Sequence, residues 1–142
     1  MSERRARLIA LNNAGSAALR RGWLEKAAAL YQEAIASLTW EEDDVAAALY
    51  ENLGLVYVNQ GRARRAVEAL ERSLDGAPRS RPQALRYVVG CLAQDQRYAT
   101  ARRRLEAYIE AFGPHPDGWT VERLEALGEA HRARLARSIA VS

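Results

Sequence analysis

Apolar residues recur along this chain every three to four positions, with polar residues filling the intervals. That period lays a hydrophobic stripe down one face of a helix. Leu8, Leu11, Gly15, Ala18 and Leu19 form the first stripe and predict a helix from about Glu3 to Arg20, ended by Gly22. Ala27, Leu30, Tyr31, Ala34 and Leu38 form the second, over about Leu24 to Leu38. Thr39-Trp40-Glu41-Glu42 then reads as a capping box, in which the threonine hydroxyl takes the amide three residues on and Glu42 reaches back. Glu41 to Asp44 add negative charge at the positive end of the helix dipole, so a third helix is expected from about Trp40 to Asn59. After Gly61, a fourth spans about Ala63 to Leu74, stopped by Gly76 and Pro78. Ser80-Arg81-Pro82-Gln83 reads as a second capping box with Pro82 in the first turn, and the fifth helix runs to about Gln94. A tight turn at Asp95-Gln96-Arg97 leads to a sixth helix, Tyr98 to Phe112. Gly113-Pro114-His115-Pro116-Asp117-Gly118 interrupts the pattern before a seventh, about Val121 to Ser138. Runs of Val, Ile or Thr are too few for strands, so the predicted class is all-α.

Three successive helix pairs share one register. Ala27, Ala66 and Ala101 stand early in each second helix, and Tyr31, Leu70 and Leu105 follow them one turn later. Gly15 and Gly54 hold the matching place in the first helices, where the third pair has Val89. Small residues at a crossing let two helices approach closely, and the large residue one turn on fills the groove beside them. Such pairs cannot bury their faces alone and must stack on one another.

Composition agrees with this picture: 49% of the 142 residues are hydrophobic but only 7% are aromatic. The net charge of +3 is too small to argue for nucleic acid, which is not expected as a partner. Cys91 is the only cysteine, excluding an internal disulfide and a cysteine-based zinc site, and reads as a core residue. No apolar run approaches the length of a membrane span, and no h-region follows Met1-Ser2-Glu3-Arg4-Arg5. A cytoplasmic chain without membrane insertion is expected. Cys91, His115 and His131 are the sole candidates for nucleophilic chemistry, and nothing in their spacing activates them. Phosphate loops and metal-ligand spacings are lacking, so neither enzyme activity, metal nor cofactor is expected. The arginine groups Arg62-x-Arg64-Arg65, Arg102-Arg103-Arg104 and Arg132-x-Arg134-x-x-Arg137 read as solvated faces paired with Glu68, Glu71, Glu106 and Glu110.

Through Leu53, Gly54, Tyr57, Gly61, Ala66 and Pro78 the chain resembles the tetratricopeptide repeat (TPR) family. The repeats would fall at about 8–41, 47–80 and 82–115, with a capping helix at about 120–138 carrying Leu127-Gly128-x-x-His131, all in one domain. The resemblance implies a right-handed α-solenoid whose first helices line a concave groove for a peptide or helix of a partner protein. Groove positions would be Asn12, Asn13, Ser16 and Arg20, then Glu51, Asn52, Leu55 and Asn59, then Gln83, Arg86, Tyr87, Gly90 and Gln94. Amides there can both donate to and accept from a peptide backbone, Leu55 and Tyr87 offer apolar anchors, and Arg20 and Arg86 can pair with carboxylates. Of the residues with which one TPR subfamily clamps a C-terminal carboxylate, only Asn52 is matched, so that mechanism is not expected. A second reading is a self-associating assembly or chaperone module, a homo-oligomer formed through the last helix (Trp119, Leu124, Leu127, Leu135, Ile139) or the edge at Trp40.

Overall fold

The computed structural model describes residues 2–39 and 43–141. Among these, seven α-helices and no strand occur: α1 (Glu3–Arg20), α2 (Leu24–Ala36), α3 (Asp43–Asn59), α4 (Ala63–Leu74), α5 (Pro82–Gln94), α6 (Tyr98–Phe112) and α7 (Val121–Val141). Each helix packs against the next, making three antiparallel hairpins followed by α7. In addition α1 touches α3, and α3 touches α5, so the first helices of the hairpins stand side by side.

The hairpins close by the same backbone device. The amides of Trp23, Arg62 and Arg97 reach back to the carbonyls of Ala18, Tyr57 and Leu92 at 2.9, 2.9 and 2.8 Å. That closure needs a residue in the left-handed region. Gly22 (φ +76°) and Gly61 (φ +72°) supply it twice, and Gln96 (φ 61°) supplies it the third time against the steric cost of its Cβ.

Inside each hairpin the contact is as close as the sequence register implies. A Cβ on Gly15 would lie 2.6 Å from the ring of Tyr31, and one on Gly54 would lie 2.6 Å from Leu70 Cδ2. Tyr31, Leu70 and Leu105 are fully buried, as are Ala27, Ala66 and Ala101. One core cluster runs from Leu8 in α1 to Leu124 in α7.

Four local expectations need revision or fall out of view. Helix α2 stops at Ala36, where the Ser37 hydroxyl donates to the Ala34 carbonyl. Ser80 does not cap α5. It belongs to a 3-10 turn (Pro78–Ser80), and its hydroxyl donates back to the Ala77 carbonyl, leaving Arg81 at the N-cap and Pro82 at the first helical position. Helix α7 continues to Val141, past the expected Ser138. Trp40, Glu41 and Glu42 lie outside the described residues, and with them the proposed contact at Trp40 and the second half of the Thr39 capping box. The Thr39 hydroxyl itself accepts from Arg4 Nη1 at 3.3 Å.

Candidate functional site

The face made by α1, α3 and α5 carries the residues expected to line the groove. Its centre is a cross-helix amide pair: Asn52 Nδ2 donates to Asn12 Oδ1 at 2.8 Å. This leaves Asn12 Nδ2 and Asn52 Oδ1 without a protein partner among the described residues, a donor beside an acceptor at a half-buried position.

Glu51, Arg5, Asp44 and Arg86, on and around this face, are matched internally. Glu51 is buried and accepts from Arg81 Nη1 at 2.9 Å, which avoids the large cost of an unpaired buried carboxylate. Arg5 pairs with Asp44 at 2.8 Å and holds that carboxyl below its ordinary range, chiefly by their hydrogen bond. Arg86 makes a two-pronged contact to Asp117, at 2.7 and 3.1 Å. That bond depresses the Asp117 carboxyl and raises the Arg86 guanidinium. Arg86 also lies 5.0 Å from the centre of the half-buried Tyr87 ring.

Asp117 belongs to the loop before α7, and its neighbour His115 explains how that loop is held. The His115 side chain is fully enclosed, 4.9 Å from the Tyr108 ring. Its Nδ1 accepts from the Asp117 amide at 3.1 Å, so the ring proton sits on Nε2 and donates to the Arg86 carbonyl at 2.9 Å. Trp119 follows, with its Nε1 3.4 Å from where a Cβ on Gly90 would stand. The loop thus rests on α5 through Arg86 and Gly90. Sequence reading missed His115 and Asp117 as elements of this face. Their partner is 29 and 31 residues away, and no linear spacing announces it.

Other expected groove residues are deployed differently. The Ser16 hydroxyl is 2.9 Å from the Tyr31 hydroxyl and serves the first hairpin's own interior. Asn59 Nδ2 donates to the Leu55 carbonyl of its own helix at 2.8 Å. Leu55 is half-buried, whereas Asn13, Arg20, Gln83 and Gln94 are exposed.

On the side of the second helices, Arg104 pairs with Glu71, and Arg102 with Glu106 (2.7 Å) and Glu125 (2.6 Å). Glu110 pairs with Arg79 rather than with an arginine of its own helix. Cys91 is buried, and burial pushes its thiol up to about 11, so it is protonated and unreactive near neutral pH. His131 packs edge-on against Tyr98 at 5.8 Å. No group of three metal-ligating side chains occurs among the described residues.

Residues 47–79, which span α3 and α4, match the model of the tetratricopeptide repeat. No curated sequence relative matches. Among solved structures, the chain is similar to the Sgt2 TPR domain from Aspergillus fumigatus, with 21% identity and a TM-score of 0.62 over 92% of this chain and 80% of that one. It is similar to Pseudomonas aeruginosa PilF, with 21% identity and a TM-score of 0.69, over 96% of this chain and 64% of that one. A third likeness is to the Yersinia enterocolitica type III secretion chaperone SycD, solved with a peptide of the translocator YopD. There the identity is 18% and the TM-score 0.63, over 89% of this chain and 93% of that one.

Proposed function

We propose that this chain, in which residues 47–79 match the tetratricopeptide repeat and whose fold is that of the similar TPR domain, is a non-catalytic adaptor holding an extended segment of a partner protein against the α1/α3/α5 face. The observation that carries this reading is the Asn12–Asn52 pair, which bridges two hairpins and retains one free donor and one free acceptor. A peptide unit presents the complementary acceptor and donor, so the pair suits main-chain recognition. Leu55, half-buried on α3, and the Tyr87 ring supply apolar contacts nearby. Because Glu51, Arg86 and Asp44 are already matched, a ligand needs no compensating charge at those points. The peptide held by SycD makes a peptide ligand a natural choice for a chain of this fold.

The test is selection of binders from a displayed library of random unstructured peptides, followed by affinity measurement. Asn12→Ala with Asn52→Ala is expected to weaken a selected peptide by at least about tenfold, roughly the worth of one or two buried hydrogen bonds, with the thermal midpoint little changed. Binding should vary little with salt. Undiminished affinity in the double variant would move the site off this face.

A further inference from the structure

The hairpins return the chain to one edge of the solenoid three times, at the turns around Gly22, Gly61 and Gln96. Helix α7 repeats the direction of α1, α3 and α5, so its C-terminal end reaches that same edge. His131 meets Tyr98 at the start of α6, and Arg132 lines one cleft with Gln96 and Arg97.

Charge scattered along the sequence is collected there. The first turn brings Arg20, Arg21 and Lys26, and the second brings Arg62, Arg64 and Arg65. Arg97 comes from the third, and α7 adds Arg132, Arg134 and Arg137. All ten are exposed. Glu25 and Asp95 are the only carboxylates in these stretches, and Asp95 is held by Arg64 at 3.6 Å. The remainder of the chain has eleven cations against sixteen carboxylates. A net charge of +3 therefore conceals a strongly basic edge on an otherwise acidic body.

Large apolar side chains stand out from the same edge. Trp23 is 47% exposed, with Arg21 and Lys26 at 5.0 and 5.2 Å from its ring. Helix α7 overhangs the start of α6, and every residue from Arg132 to Ala140 is exposed, Leu135 at 50% and Ile139 at 76%. Helical spacing puts Leu135 and Ile139 on the same stripe as Leu124 and Gly128, beyond the point where α6 can cover it.

We infer that this edge docks on an anionic lipid surface, with the cations among the headgroups and Trp23, Leu135 and Ile139 entering the interface below them. Basic residues beside a short amphipathic helix end are what such a surface attracts. A nucleic acid would neutralise the cations but leave Leu135 and Ile139 in water. Two copies joined by these ends in antiparallel fashion would set Arg134 and Arg137 against one another.

The experiment is flotation of the full chain with vesicles of phosphatidylcholine, or with a third of it replaced by phosphatidylserine. Binding is expected only to the anionic vesicles, with release in 1 M salt, where the screening length falls to about 3 Å. Arg62→Gln, Arg64→Gln and Arg65→Gln should each weaken it about fivefold. Leu135→Ser with Ile139→Ser should weaken it further without changing the thermal midpoint. The groove variant Asn12→Ala/Asn52→Ala should float like the parent, which separates this surface from the peptide face. Absence of flotation at low salt overturns the proposal. So does undiminished flotation of the Leu135/Ile139 variant, or preference for duplex DNA with those two residues irrelevant. A dimer that needs Ile139 and excludes vesicles would assign the edge to self-association instead.

Discussion

Gly54 and Gly15 are where single residues set the geometry of this fold. With a methyl group at Gly54, Leu70 would be met at 2.6 Å, closer than two carbon atoms can stand, and Leu70 is fully buried with nowhere to move. Gly54→Ala is therefore expected to destabilise the chain by about 1–3 kcal/mol, the usual cost of overpacking a core, even though alanine has the better helix propensity. Urea denaturation monitored by circular dichroism measures this, and an unchanged midpoint would contradict the contact. Gln96 makes the converse point. It occupies the turn position that Gly22 and Gly61 hold in the other hairpins, showing that the local pattern tolerates a strained residue when flanking helices fix the turn.

Among the elements, the six hairpin helices were largely legible in the sequence, and the loop before α7 was not. Five of the seven helices (α1, α3, α4, α5 and α6) end at the residue expected, because periodicity and Gly breaks act within a few residues of chain. The loop reads as punctuation, yet it is fixed to α5 by His115 and by the Arg86–Asp117 pair. The Asp117 carboxyl is depressed in the folded state. Its contribution is thus present above the ordinary aspartate range, near pH 4, and is lost as pH falls through the depressed folded value. Asp117→Asn is accordingly expected to be less stable than the parent at pH 7, with the difference closing below about pH 4. Thermal midpoints of both proteins between pH 7 and 3 check the sign. A gap that does not narrow at all as the pH falls from 7 to 3 would mean that the carboxylate's charge is irrelevant.

Across the whole molecule, each helix touches mainly its immediate neighbours, so stability should behave as a chain of nearest-neighbour couplings. Leu105→Ala, at a fully buried site in the third hairpin, is expected to cost about 2–5 kcal/mol. Its loss of hydrogen-exchange protection should concentrate in α5, α6 and α7 and spare α1 and α2. Uniform loss over all helices would show a single cooperative unit instead. The same stacking assembles both surfaces discussed above. Side-by-side first helices bring Asn12 to Asn52, and the recurring turns together with the end of α7 gather the ten cations on one edge.

Taken by itself, the sequence determined the helices, their pairing into hairpins and the small-against-large contacts inside each pair. These follow from residues three or four apart on a helix, or from a register repeated along the chain. Only the tertiary structure decided which groove residues are free and which are committed. It turned Ser16 toward Tyr31, closed Asn59 on its own helix, and matched Arg86 with Asp117. It also revealed the basic edge that a net charge of +3 hides. Asn59 apart, those outcomes depend on the reach of side chains between segments about fifteen to forty residues apart, and that reach is set by packing, which no local pattern encodes.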